Sequence, residues 1–293
     1  MRAPGSTYLF LAIGLVAASQ SGNLIRIGHA HPVAVAAWRL IVASAILLPL
    51  AGRELGTLRA LTLRQWVLLT GAGAALAAHL VTWIAAVQLT TVSNAAIFFA
   101  VNPVMTALAA RVVFGERLRA AVLVSAALGL AGVAMIGWND HVLAPGHLVG
   151  DGISLICSAF FTVYFLAGKH VRNVLSTPVY VASIYGIAGG LCFALLAALG
   201  VSATGYDTRT WVSFGLLALV PTVIGHTSFN HALRRLDAGW VSCATLSEPP
   251  LAAGVAWVAW NEAPTPGAML GYVVIAASVL MLVWDARRIT AAR

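Results

Sequence analysis

Charge is scarce in this chain. Of its 293 residues only 9% are Asp, Glu, Lys or Arg, where a soluble domain carries roughly a quarter. Acids are scarcest, with 9 Asp and Glu against 17 Lys and Arg. Too few polar groups are present to cover a water-exposed surface, and with 60% hydrophobic residues the composition suits a bilayer. Cysteine is nearly absent too. Cys157, Cys192 and Cys243 each stand alone in an apolar stretch, with no C-x-x-C between them, so they read as core residues and carry no information on redox compartment. No P-loop, G-x-S-x-G, H-E-x-x-H or dinucleotide fingerprint occurs, so ATP hydrolysis has no motif to carry it and no cofactor is called for.

Apolar windows are what the sequence has in quantity. A helix of about 20 residues crosses a hydrocarbon core ~30 Å thick. Ten such windows fit: Thr7–Ile27, Pro32–Leu50, Trp66–Gln88, Val92–Phe114, Ala120–Trp138, Gly152–Ala167 (extending toward Val171), Pro178–Val201, Trp211–Ala232, Gly239–Trp260 and Gly267–Trp284. The loops between them are too short for a soluble domain. The first window could also pass for a signal peptide, with Arg2 ahead of it and "AAS" at Ala17–Ser19 as a cleavage site.

A net charge of +8 in a soluble protein would point to nucleic acid, so the position of the charges decides. With the N-terminus inside, every Lys and Arg except Arg26, Arg39 and Arg209 falls in an inner loop or tail. That asymmetry predicts N-in, C-in topology, a lipid partner and no nucleic acid.

An internal repeat organises the windows. "FFAVNPVMTALAARVVFGERL" (Phe98–Leu118) matches "ATLSEPPLAAGVAWVAWNEAP" (Ala244–Pro264), aligning Pro103 with Pro249 and Glu116 with Glu262 at an offset of 146. Pro32 and Pro178 share that offset, and His79 matches His226 at 147. The halves are 1–145 and 146–293, with five windows each. An odd count makes the second half enter the membrane in the opposite sense. Inverted repeats are a hallmark of secondary transporters with a central site. The expected fold is therefore an all-α integral membrane protein, ten transmembrane helices in two inverted five-helix repeats around a central cavity.

The N-P…G-E and E-P…N-E segments, the Trp38–Arg39 pair and the two five-helix halves resemble the EamA family of the drug/metabolite transporter superfamily, over essentially the whole chain. Within it the chain looks most like the YddG-type exporters of aromatic and other amino acids. The resemblance implies export from cytoplasm to periplasm by alternating access, in a bacterial inner membrane. One departure is Asn102, which stands where the second copy has Glu248.

The candidate site residues are the polar and aromatic groups inside the windows. Of the nine acids only Glu248 is deep, about 13 Å along its helix from Gly239. A carboxyl there needs a cavity or partner; it can meet a substrate ammonium, act as a proton site, or be a neutral acid bonded within the bundle. Pro103 and Pro249 remove a backbone hydrogen bond from the fourth and ninth helices and free the carbonyls of Phe99 and Thr245, reading as hinges or as simple packing kinks.

His79 and Trp83 share one face of the third helix, and His226 with Asn230 repeats that spacing in the eighth. They read either as cavity lining or as satisfied core residues, and no metal-ligand company accompanies them. Phe99, Tyr164, Tyr185, Trp240 and Trp257 offer aromatic walls or belt anchors. Arg39 lies roughly 10 Å below the outer surface, where it snorkels, bonds backbone carbonyls, or serves as a gate or substrate-carboxylate contact. Glu116 and Glu262 read as favourable charges near helix N-termini, and Gly186–Gly190 and Gly267–Gly271 as close-packing G-x-x-x-G spacings.

These readings converge on a monomeric, non-enzymatic exporter of several neutral amino acids. The rival is a proton-coupled exporter of hydrophobic cations using Glu248. A nucleotide-sugar carrier is disfavoured because only Arg39 is a buried cation for phosphate, and an embedded enzyme lacks a nucleophile spaced beside a base.

Overall fold

The computed structural model describes residues 5–90, 92–138 and 148–291. Arg2, Asp140, Arg293 and the boundary between 145 and 146 lie outside them. Among the described residues there are helices and no strands. In chain order the α-helices longer than five residues are α1 Gly5–Ile25, α2 Pro32–Ala51, α3 Leu63–Leu89, α4 Val92–Phe99, α5 Asn102–Phe114, α6 Ala120–Trp138, α7 Leu148–Ala167, α8 Thr177–Ala198, α9 Thr208–Ala232, α10 Ala238–Ala244, α11 Glu248–Trp260 and α12 Pro266–Ala291, with a 3₁₀ helix at Gly52–Ala60 and one short turn of helix at Lys169–Arg172. Seven are long and apolar enough to cross a membrane: α1, α2, α3, α7, α8, α9 and α12. Asn102–Phe114 and Ala120–Ile136 are shorter apolar helices. The chain is a multi-pass membrane protein, and its surface agrees: Val112 is 84% exposed and Val258 87% exposed, a liability in water and ordinary against lipid.

Two windows expected to be single bent helices are each two helices. Pro103 and Pro249 stand in the first turn of α5 and α11, where a missing N–H costs nothing and the fixed φ suits the helix. The prolines therefore start new half-helices instead of kinking old ones. Of the carbonyls they free, that of Phe99 accepts from Ser158 Oγ at 3.4 Å, and that of Thr245 accepts the Glu248 N–H in a single 3₁₀ turn.

Helix starts follow the sequence. Thr62 and Gln65 form a capping box for α3, and Asp207 accepts the Thr210 N–H at 2.8 Å to start α9. The middle of α9, Ala218–His226, is π-helical. Pro221 lies within it, and the Thr222 hydroxyl reaches back to the Leu217 carbonyl at 2.8 Å, widening the turn.

With no hydrophobic drive between helices in lipid, packing depends on small residues and buried polar bonds. α2 lies on α8, and α6 on α12. α3 packs on α7 while α9 packs on α1; α5 packs on α7 while α11 packs on α1. The partners reciprocate between the two halves of the chain. At the α6–α12 contact a Cβ on Gly271 would fall 2.5 Å from the Gly132 carbonyl oxygen, and Ser125 and Ser278 bond hydroxyl to hydroxyl at 2.9 Å. Gly190, by contrast, has nothing near its Cβ position, so its half of the expected G-x-x-x-G packing is not made.

Candidate functional site

A chamber of about 90 Å³ sits where the interrupted helices meet, lined by Ser21, Arg39, His79, Trp83, Phe99, Phe161, His226, Glu248 and both break prolines, Pro103 and Pro249. Asn23, Ala96, Val133, Pro249 and Ala252 also line a second space of about 300 Å³ that extends to Arg26 and Glu262 at the end of the bundle where α1 and α11 finish.

Arg39 does not snorkel. It is 1% exposed, donating from Nε to Thr222 Oγ1 at 2.6 Å and from Nη1 to Ser21 Oγ at 2.9 Å. The π-turn in α9 supplies Thr222, and the polar end of α1 supplies Ser21. These bonds aim a charged fork into the chamber in one orientation, which Lys would not reproduce. Glu248 begins α11, where the positive end of the helix favours a carboxylate. Its carboxyl group makes no hydrogen bond to another described residue, and Arg39 lines the same chamber. Cation and acid thus face one chamber from different helices without forming an ion pair.

Aromatic rings wall the same chamber. Phe161 lies 4.8 Å from His79 and 5.3 Å from Phe99, ring centre to ring centre, and Trp83 lies 5.5 Å from Phe99. His79 and His226 are 6.1 Å apart. His79 Nδ1 is 3.1 Å from Cys157 Sγ and 3.4 Å from its carbonyl, whereas buried His226 Nδ1 has no hydrogen-bond partner among the described residues. No cluster of metal-ligating side chains occurs among the described residues.

Four expected lining residues do not line the chamber. Asn102 donates to the Ser158 carbonyl and Thr162 Oγ1, both at 3.0 Å, and accepts from Ser242. Asn230 donates to the Tyr164 hydroxyl and to the His226 carbonyl, and accepts from Arg172 at 3.2 Å. The Tyr185 hydroxyl donates to the Thr222 carbonyl at 3.3 Å. Asn102 and Asn230 lie about one helical turn beyond Phe99 and His226, and their polar groups are spent on α7 and Arg172 just past it, on α10 and, for Asn230, on its own helix. Together they seal the chamber toward the end where α5 and α7 finish. Of the other aromatics, Trp240 is 8% exposed within the core and Trp257 50% exposed on the surface; neither lines the chamber.

Ser21, Asn23, Phe161 and Thr222 were not singled out in the sequence. The signal for the first two was there: "SQSGN", Ser19–Asn23, is a polar run inside an apolar window, which in a membrane helix marks a site. Glu116 and Glu262 differ from expectation as well. Each forms an ion pair, with Lys169 and Arg26 respectively, rather than merely capping a helix.

A bundle of apolar helices, two of them interrupted at a shared polar chamber, is the architecture of a membrane transporter. The chain belongs to the EamA-like transporter family, which matches residues 5–138 and again 148–284. A protein of Streptantibioticus cattleyicolor named a probable terminal-alkyne amino-acid exporter is 29% identical over 195 residues, covering 64% of this chain and 63% of that one. Protein RarD of Streptomyces exfoliatus is 27% identical over 210 residues, covering 67% of this chain and 61% of its own. The chain thus matches less than two thirds of the length of either relative. A solved crystal structure has the same fold, with a TM-score of 0.82 over 98% of this chain and 99% of that one at 21% identity.

Proposed function

We propose that this chain is a secondary transporter that exports amino acids by alternating access. The observation that carries the reading is the unpaired juxtaposition of Arg39 and Glu248 in one aromatic-walled chamber. A zwitterion presents a carboxylate and an ammonium on one carbon, and a buried cation and acid that face the same space without neutralising each other fit both. Trp83, Phe99 and Phe161 accept an apolar or aromatic side chain with little demand on its shape, which favours several neutral amino acids over one. His79 and the open Nδ1 of His226 are further polar contacts. Likeness to a protein named as an exporter of an amino acid supports the same substrate class.

Ten membrane crossings in two inverted halves, 1–145 and 146–293, give the cycle its means, and the reciprocal packing of the halves supports that arrangement. The Lys and Arg bias supports cytoplasmic termini in a bacterial inner membrane. In that orientation the chamber communicates with the periplasmic side and is sealed below. Pro103 and Pro249 are the bending points, since each begins a half-helix that can tilt without breaking a helical hydrogen bond. One monomer contains the whole path. Export of a hydrophobic cation through Glu248 is the weaker reading, because Arg39 would repel such a substrate from the same chamber.

Counterflow of labelled Thr, Met and Phe in proteoliposomes tests the proposal. Saturable exchange across such a panel is expected, and no exchange of any amino acid overturns it.

A further inference from the structure

Two clasps tie the halves together at opposite ends of the bundle. Where α1 and α11 finish, Arg26 forks onto Glu262, with Nη1 at 3.1 Å and Nη2 at 2.9 Å from its two carboxylate oxygens, and its guanidinium lies 4.9 Å over the Trp260 ring. Where α5 and α7 finish, Lys169 pairs with Glu116, and its ammonium lies 4.3 Å over the Phe114 ring.

The resemblance extends to the backbone. Phe114 and Trp260 are 146 residues apart, as are Glu116 and Glu262. The residue between each aromatic and acid is left-handed, Gly115 with φ 66° and Asn261 with φ 57°, residue types that tolerate that region. The Glu116 N–H returns to the Ala110 carbonyl and the Glu262 N–H to the Ala256 carbonyl, each at 3.4 Å, a six-residue helix-ending loop made twice. The same cap therefore turns an acid off the end of each post-proline half-helix. Each acid meets a cation just past the first helix of the opposite half. The copies keep residue class at the aromatic, the left-handed residue and the acid, and diverge in the position of the cation. The residue 146 after Arg26 is Arg172, which turns inward to the Phe165 carbonyl and Asn230, and Lys169 takes its place.

Their surroundings differ. Arg26 and Glu262 wall the space of about 300 Å³ that leads to the chamber, whereas the Glu116 clasp lies beyond the Asn102 and Asn230 seals. Part-exposed ion pairs are weak enough to break during a cycle, and each holds one half-helix, α11 or α5, against the opposite half.

We propose that these two clasps are the gates of the transport cycle: breaking Glu262–Arg26 frees α11 and widens the path at its end, and breaking Glu116–Lys169 frees α5 and opens the other. This rests on the transporter reading above but not on its substrate. The test is a single reporter cysteine at Ala253, on the wall of the outer space, in a chain whose own three cysteines are buried. Membrane-impermeant maleimide is applied to sealed vesicles of either orientation. Glu116→Gln is expected to raise labelling from the Lys169 face severalfold and lower it from the Arg26 face, and Glu262→Gln to raise it from the Arg26 face. Equal responses, or none, overturn the proposal. The charge exchanges Arg26→Glu with Glu262→Arg and Glu116→Lys with Lys169→Glu are expected to return labelling to the starting pattern, and failure to do so in a chain that inserts equally overturns it. The labelling needs no substrate, so loss of amino-acid exchange in the same vesicles separates failure of the substrate reading from failure of the gates.

Discussion

Asn102 and Glu248 stand 146 residues apart, each just before a proline that starts a half-helix, and their surroundings differ in kind. Asn102 is fully buried and holds α5 to α7 and α10 through Ser158, Thr162 and Ser242. Glu248 is part-exposed to the chamber, and its carboxyl group bonds to no described residue. One break is closed by its own side chain and the other is left open. On the alternating-access reading proposed above, the two halves adopt different shapes at any moment, and the pair teaches which side of the chamber is sealed.

The largest effect that would sharpen this contrast lies at Glu248. Removing a charge-assisted contact worth about 1.5–3 kcal/mol by Glu248→Gln should weaken substrate binding roughly tenfold to a hundredfold, read as KM for counterflow, with an unchanged melting temperature. Asn102→Ala should do the reverse, orphaning buried partners at about 1–3 kcal/mol and lowering the detergent melting midpoint while KM stays within about twofold. A KM effect from Asn102 with no loss of stability would break the comparison.

A smaller loss, about tenfold in KM, is expected for Arg39→Lys, which keeps the charge and gives up the fork held by Thr222 and Ser21. Wild-type behaviour would show that charge alone suffices. Away from the breaks, Gly271→Ala presses a methyl onto the Gly132 carbonyl and should destabilise by about 1–3 kcal/mol, with KM unmoved, because Gly132 and Gly271 meet at a helix–helix contact and line neither space.

The smallest effect concerns Asp207, outside the membrane. The Thr210 hydroxyl and amide hold its carboxyl below the usual range. Its capping contribution is therefore present above the ordinary carboxylate pKa and disappears as pH falls through the lowered one. Asp207→Asn, which keeps an acceptor, should flatten that small acid-side slope in melting temperature. A slope that persists in the variant would assign it to another group.

Much of the helical layout was legible because membrane helices announce themselves by length and apolarity. Pro103 and Pro249 were found as breaks from the sequence alone, and His79, Trp83, Phe99, His226, Glu248 and Arg39 do line one chamber. Tyr164, Tyr185, Asn102 and Asn230 were equally plausible and do not, since sequence spacing fixes which face a residue shares but not whether a neighbouring helix spends its hydrogen bonds. Thr222 could not have been found, because its place depends on a π-turn whose widened register no 3.6-residue pattern contains.

Composition and repeat by themselves determined that this is a bilayer protein of helices in two related halves, since apolar length and a recurring Pro and Glu need no partner to be read. Only the tertiary structure decided that Arg39 and Glu248 face one space unpaired, that Asn102 seals while Glu248 opens, and that Arg26 and Lys169 clasp acids far along the chain. Contacts between residues more than fifty positions apart are set by how helices pack, and packing is a property of the assembled bundle.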